Sequence, residues 1–402
     1  MEENKKNRVP NVPNLRFSFS DPYTQHTIKE LSVFVKDGTH GSHKDCANGI
    51  PLLSAKDIHD GIIDLSNDPR KISESDYCSI YKKHKPERDD ILITIVGTIG
   101  RTAIIPDRSN DFAFQRSVGW IRPNKSMYPL YFNYLLQSKT VQNNIVSKTN
   151  TSAQGGIYLG ELEKIVVSIP QLDEQRKIAA ILSTIDKQIQ TQNKIINKLE
   201  SLKNQINNNF FSSLKTQVLF KSIYTKAGEG GTPDTKKESY YKNGVIPFIK
   251  IDDLYSKYII EAKSFITYDG LKHSSAWIIP SNCILLSNGA TIGETAINTI
   301  PVATKQGILG IIPKENLNNE FLYYLFKTNT FKKRLKKITT KGTMDAAYLK
   351  DIDRLLVPNC PIEMQKNYIN KINKIEEKIL NEKKLLQLYA VQKKYLMKNL
   401  FI

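Results

Sequence analysis

From Ile178 onward, apolar residues recur at alternating steps of four and three: Ile178, Leu182, Ile185, Ile189, Ile196, Leu199, Ile206 and Phe210. That spacing predicts the seam of a coiled coil on a helix over 171–215. Two rungs, Gln192 and Lys203, are polar. The same ladder returns as Tyr368, Ile372, Ile375, Ile379, Leu386, Tyr389, Leu396 and Leu400, with Glu382 and Lys393 in the same two polar places. The chain is therefore a tandem duplication with a second long helix over 361–402. An antiparallel pair that sets Lys203 opposite Glu382 and Gln192 opposite Lys393 leaves no polar rung against an apolar one, and this register is expected. Ile195, Leu202, Leu385, Leu388 and Val391 widen the stripe beyond what two helices need, which predicts further helices from a partner.

The regions before each helix show a different pattern. Short β-rich runs, ILITI (91–95), TAII (102–105) and SVGWI (117–121), are separated by Gly and Asp turns, and a helix begins with Pro129 in its first turn and turns Tyr131, Tyr134, Leu135, Val141 and Ile145 inward. This is mixed α/β structure. Its blocks recur in order: NGIPLLSAKDI (48–58) as NGVIPFIKIDDL (243–254), GTIGRTAII (97–105) as GATIGETAI (289–297), FQRSVGWI (114–121) as KQGILGII (305–312), and YLGELEKIVV (158–167) as YLKDIDRLLV (348–357). The copies lie 196 residues apart at Pro51 and Pro247 but 190 apart at Tyr158 and Tyr348, and the ladders keep the latter offset. Insertions have thus collected in the globular halves and not in the helices. The organisation expected is an N-terminal arm over 1–30 marked by Pro10, Pro13 and Pro22, an α/β domain over 31–170, the first helix, a second α/β domain over 216–360, and the second helix.

Charge narrows the function. A formal net charge of +18 points to a polyanion, most simply nucleic acid, although 47 of the 58 basic residues are lysine and an AT-rich genome would contribute to that excess. The longest aliphatic run of note, ILITIV at 91–96, falls far short of a bilayer span, and MEENKKNR lacks the apolar stretch of a signal peptide, so a cytoplasmic location is expected. Cys46, Cys78, Cys283 and Cys360 have no framework spacing and read as free thiols.

Catalytic motifs do not emerge. Asp21, Pro22 and Tyr23 give only a DPY in the wrong context for an adenine methyltransferase; no GxGxxG follows a strand, and PDTKKES (233–239) lacks the second acid-x-Lys of a nuclease. His40, His43 and Cys46 have the spacing of metal ligands but no fourth partner nearby, and read better as polar tips of a loop. Asp89 and Asp90 read as turn residues before a buried strand.

The wording PQLDEQRKIAAIL (170–182), the leader VPNLRFSFSD, GGTP at 230–233 and the ATIG and KQG blocks resemble the specificity subunits of type I restriction-modification systems over essentially the whole chain. PIEMQKNYI departs from that wording, with Met364 where the first copy has Glu174, which is expected to weaken the local helix cap. The resemblance implies two tandem target-recognition domains in a pseudo-twofold repeat, separated by two helices forming an antiparallel coiled coil. It also implies a non-catalytic reader of a two-part, asymmetric double-stranded DNA target. By the same resemblance no cofactor is bound by this chain. S-adenosylmethionine would come with two methyltransferase subunits, and ATP and Mg with restriction-translocase subunits. The first ladder would span about 48 Å at 1.5 Å per residue, more than one DNA turn of roughly 34 Å.

Base readout needs donors and acceptors on loops that reach the grooves. In a lysine-biased chain, Arg101 after GTIG and Arg116 after FQ are the candidates for guanine; the second copy has Glu294 and Gly307 there, so the half-sites should differ. Further candidates in the first copy are Thr39, His40, Ser42, His43, Lys44, Lys56, Thr98 and Gln115. In the second copy they are Thr232, Lys236, Lys237, Lys250, Asn288, Thr291, Lys305 and Gln306. KTNTFKKRLKKITTK (327–341) holds seven basic residues and no acid, and offers Lys332, Lys333, Arg334, Lys336 and Lys337 to phosphates. A stand-alone DNA-modifying enzyme and a coiled-coil scaffold or RNA-binding protein remain alternatives.

Overall fold

Both ladders form continuous helices, Leu172–Ser213 and Ile362–Asn399. The computed structural model describes residues 13–17, 19, 21–59, 61–66, 68–107, 112–150, 155–289, 291–339 and 346–402. Pro10, Val12, Ser18, Ser20 and Lys341, named above, lie outside the described residues. The chain divides into two compact units, residues 1–192 with 385–402, and residues 193–384. Each unit therefore holds one α/β domain and a portion of both helices.

In the first unit a four-stranded antiparallel sheet runs in the order Ser32–Asp37, Val118–Pro123, Ile91–Thr94, Thr102–Ile104. Alternation along Ile91–Ile93 serves two cores, which is why these three positions are all apolar. Ile91 and Ile93 face a core shared with Tyr131, Leu135, Val141 and Ile145 and with Ile178 and Leu182 of the long helix. Leu92 faces the other side with Trp120 and Phe114, where Lys71–Ile72, Ile50–Leu53 and Ala113–Phe114 form a second small sheet.

The second unit repeats this plan. Its sheet runs Tyr224–Glu229, Ile308–Pro313, Cys283–Ser287, Thr295–Asn298, Tyr258–Ile259. Ile284 and Leu286 face the helices, while Cys283 and Leu285 face the opposite core.

Several expectations need correction. The helix from Pro129 is two helices, Pro129–Gln137 and Lys139–Ser147. Ser138 breaks it because its extended backbone and hydroxyl cap the second segment, accepting from the Val141 amide. The arm expected over 1–30 includes a strand, since Thr24–Thr27 pairs antiparallel with Val166–Ile169 in a two-stranded sheet of their own. Asp90 is no mere turn residue. It is 1% exposed and accepts from Trp120 Nε1 (2.8 Å), Arg122 Nε (2.9 Å) and the Glu87 amide (2.8 Å), so it ties two strands and a loop together.

Glu174 does not serve as a cap. Its 1% exposed carboxylate takes a fork of hydrogen bonds from Arg16 (Nε at 3.0 Å) and one from the Tyr23 hydroxyl (3.3 Å), pinning the arm, while the Leu15 amide bonds to the Asn399 carbonyl (2.9 Å). Met364, its counterpart, is 46% exposed.

The helices run antiparallel within each unit, but not in the expected register. Lys393 pairs with Asp186 (2.6 Å) in the first unit, and Lys203 with Glu376 (3.2 Å) in the second. Docking of the helix ends on the domains outweighs rung matching. Phe210 stacks on Tyr368 at 4.0 Å beneath Phe321, and Leu400 and Phe401 close the core around Ile178 and Leu182. The flexible lysine stems then carry their charge sideways to a carboxylate outside the seam. Glu382 pairs with Lys378 one turn earlier.

Candidate nucleic-acid interface

Backbone hydrogen bonds gather the candidate loops of the first unit. Gly38 N bonds to Val118 O (3.0 Å), Thr39 N to Phe114 O (2.7 Å), and Arg116 N returns to Thr39 O (3.1 Å), while Gln115 N reaches Leu53 O (2.8 Å). The crossing is so close that a Cβ on Gly38 would sit 2.1 Å from the Phe114 carbonyl oxygen, which dictates glycine there. Thr39, His40, Gln115 and Arg116 are thereby brought to one edge, with Lys56 on the adjoining turn, whose Ala55 amide bonds to Ser117 Oγ (3.3 Å). His40, Ser42, Lys44, Lys56 and Arg116 are exposed.

His40 is hydrogen-bonded to Asp37 (2.6 Å) and His43 to Thr39 Oγ1 (2.9 Å), with Asp76 3.5 Å from its other nitrogen, so both imidazoles are engaged by neighbours. Among the described residues no group of three or more His, Cys, Asp or Glu is arranged to hold a metal.

The second unit builds the equivalent edge. Gly230 N bonds to Ile308 O (2.9 Å), Gly231 N to Thr304 O (3.0 Å), Lys305 N to Ile249 O (2.9 Å), and Gln306 N to Thr232 Oγ1 (3.4 Å). Thr232, Lys305 and Gln306 converge there, and Lys250 begins the adjoining turn, where its amide donates to Asp253 Oδ2 (2.8 Å). Lys236, Lys250, Thr291, Lys305 and Gln306 are exposed. Lys237 is also exposed but donates to the Tyr240 hydroxyl (3.2 Å).

Asn288 cannot read a base from where it stands. It is buried, its amide nitrogen bonds to Ala347 O (3.1 Å), and its backbone nitrogen bonds to Gly307 O (3.0 Å), so it fastens a loop to its neighbours.

Thr98 and Arg101 occupy a second loop of the first unit, with Gly97 and Gly100 at positive φ. Arg101 is exposed and its side chain makes no ion pair among the described residues, as is also true of Arg116. At the place of Arg101 the second copy has Glu294, which Lys327 (2.7 Å) and Lys332 (3.8 Å) engage. Burial opposes ionisation of Glu294, but these lysines outweigh it and hold the carboxyl below its usual value.

The basic helix Asn329–Lys337 buries Phe331 and Leu335. Arg334 is turned inward to the Leu356 carbonyl and Gln217, and Lys332 to Glu294, leaving Lys333, Lys336 and Lys337 exposed. Outside the seam, Leu385, Leu388 and Val391 are exposed in the first unit, and Ile195 and Leu202 in the second. Among the described residues no helix is long and apolar enough to cross a membrane.

From the sequence Tyr134 reads only as an inward-facing residue, and Asp186, Tyr324, Glu376 and Lys257, which with it link domain to helices, do not stand out; the signal was present, since Tyr134 and Asp186 recur as Tyr324 and Glu376 at the offset of the ladders.

A family model for the type I restriction modification DNA specificity domain matches residues 27–201 and 220–391. The MjaIX specificity subunit of a type I restriction enzyme from Methanocaldococcus jannaschii is 35% identical over 185 residues; these are 45% of this chain and 42% of that relative, so the match spans less than half of its length. A putative MjaX specificity subunit from the same organism is 24% identical and aligns over 98% of this chain and 95% of its own. Among solved structures, the S subunit of a type I restriction-modification system from M. genitalium superposes with a TM-score of 0.57 at 18% identity, over 97% of this chain and 99% of that one, a likeness of fold.

Proposed function

The chain belongs to the family of type I restriction-modification DNA specificity domains, and from that membership we propose that it is the non-catalytic subunit that reads a two-part, asymmetric DNA target. Residues 31–170 and 216–360 are the two recognition domains. One observation carries the asymmetry: each unit presents an edge built by the same backbone hydrogen bonds, but furnished with different side chains. His40 and Arg116 stand in the first, with Arg101 on a separate loop of that unit, and Thr232, Lys305 and Gln306 stand in the second. Same frame and different donors is what two unlike half-sites require, with arginine suited to the O6 and N7 of guanine. Lys333, Lys336 and Lys337 serve phosphates and fix position without specifying sequence.

The exposed apolar residues Ile195, Leu202, Leu385, Leu388 and Val391 take the helices of two methyltransferase subunits, which bring S-adenosylmethionine. Restriction-translocase subunits with ATP and Mg complete a cytoplasmic complex that acts against foreign DNA. Methylome sequencing of cells expressing the chain with its methyltransferase subunits should show adenine methylation at one two-part site, and the purified chain alone should methylate nothing. Methylation by the chain alone, or modification without a defined site, would overturn the reading. Ile195→Glu combined with Leu385→Glu should abolish assembly in size-exclusion chromatography.

A further inference from the structure

One polar contact occurs in both units at equivalent places and lies off the apolar seam. In the first, the Tyr134 hydroxyl donates to Asp186 Oδ2 (2.7 Å) and Lys393 Nζ reaches Asp186 Oδ1 (2.6 Å). In the second, Lys257 Nζ bridges the Tyr324 hydroxyl (2.9 Å) and Glu376 Oε2 (3.1 Å), and Lys203 Nζ lies 3.2 Å from Oε1 of the same carboxylate. The tyrosine comes from the recognition domain, the carboxylate from the early part of one long helix, and the lysine from the late part of the other. The roles of the two helices are exchanged between units, and aspartate is replaced by glutamate, yet the three-way junction persists.

The junction answers a question that the apolar ladder leaves open. Rungs that repeat every seven residues tolerate a slip of about one heptad, because most apolar rungs then still meet apolar rungs. Matching of the polar rungs favours the slipped pairing of Lys203 with Glu382, but the structure has Lys203 on Glu376 and Lys393 on Asp186. What distinguishes these carboxylates is a hold from the domain, by Tyr134 directly on Asp186 and by Tyr324 through Lys257 on Glu376. Each is already held by the domain, so a lysine that binds it sets the helices against each other and against that domain at once. The second unit strengthens the junction with Lys257, which reaches Tyr324 Oη (2.9 Å), Glu376 (3.1 Å) and Glu320 (3.3 Å).

We propose that Tyr134, Asp186 and Lys393, and their counterparts Tyr324, Glu376 and Lys203, are positioning residues that set the number of base pairs the protein requires between its two half-sites. The proposal rests on the reading of the chain as a two-part DNA reader. These side chains touch no base; they act through the seating of each recognition domain on its helices.

The test uses the full chain assembled with its methyltransferase subunits and duplexes carrying the cognate half-sites at the native spacing, or at one base pair more or fewer. Tyr134→Phe and Asp186→Asn should each reduce discrimination against the altered spacings by about tenfold, as expected for losing a hydrogen bond to a charged group, with base preference inside the half-sites unchanged. Asp186→Glu, which imitates the second unit, should keep the native preference, and Asp186→Lys with Lys393→Glu should restore what Asp186→Lys alone loses. Tyr134→Phe removes one oxygen and decides the matter if the charge variants fail to fold. Equal loss of methylation at every spacing would show an ordinary stabilising contact and overturn the proposal, as would an altered half-site sequence. A wild-type complex with no two-part site would bring down the underlying reading and this proposal with it.

Discussion

The two units are repeats of one plan, and their departures are more informative than their likeness. Both position the start of a long helix with a glutamine that does the same work. Gln175 accepts from the Tyr128 amide and donates to the Pro170 and Ser126 carbonyls, and Gln365 accepts from the Asn318 amide and donates to Cys360 and Asn316. One residue earlier the copies part. Glu174 is buried on Arg16 and Tyr23, whereas Met364 faces solvent. The second unit has no arm to hold, because there the strand Gln217–Leu219 follows directly from the first long helix. The lesson is that framework contacts survive duplication wherever both copies bury the same surface, while a residue whose partner exists only once is released.

The charge hubs differ in the same way. The first unit concentrates charge at Asp90, with Trp120 and Arg122. The second places it at Glu376, with Lys203 and Lys257, the latter also on the Tyr324 hydroxyl. The chain has two tryptophans, Trp120 in one unit and Trp277 in the other, so each unit carries its own fluorescent reporter.

The largest effect should come from Asp90→Ala. Removing the carboxylate leaves the Trp120 N–H and the Arg122 guanidinium without their buried acceptor, at a cost of about 3–5 kcal/mol. Unfolding followed at Trp120 should shift to lower denaturant while the transition at Trp277 stays near its wild-type midpoint; a common shift of both would mean that the units unfold as one. Next, Glu174→Met, which makes the first copy resemble the second, should cost about 2–3 kcal/mol through the lost charged hydrogen bonds and expose the arm to limited proteolysis. The reciprocal Met364→Glu, at an exposed site, should stay within about 0.5 kcal/mol of wild type.

Arg116→Ala should relax preference at one base pair of the first half-site by about 1–3 kcal/mol, read by competition between single-substituted duplexes, and leave the second half-site unchanged. Acid should separate the units more gently. Burial disfavours the charged form of Glu376, but Tyr324, Lys257 and Lys203 together hold its carboxyl below the ordinary value. Its contribution is therefore full above the unfolded glutamate value and lost as pH falls through the lower folded one, because there the unfolded chain binds the proton first. Glu376→Gln should flatten that part of the stability profile reported by Trp277 and leave that of Trp120 as it was. The smallest effect expected is that of Lys336→Ala, which should weaken all duplexes alike and reduce the slope of log affinity against log salt by about one.

Periodicity and internal repetition alone determined the duplication, the two long helices, the alternation of strands and helices, and the inward faces at Ile91, Tyr131 and Val141, because burial of apolar side chains at a fixed spacing is a local property of the chain. Exposure of one candidate, Arg101, was legible because it follows a turn with Gly97 and Gly100 at positive φ. Asn288 looked like a reader because its residue type suits bases, and only the packing of Ala347 and Gly307 against it shows an inner fastening. Arg334 belonged by composition to a basic face, yet the fold supplies the Leu356 carbonyl and turns it inward. The helix register was decided by contacts far apart in sequence, Phe210 on Tyr368 and Tyr134 on Asp186. A heptad ladder matches itself again after every seven residues, so only side chains brought in from outside the ladder can choose among its registers.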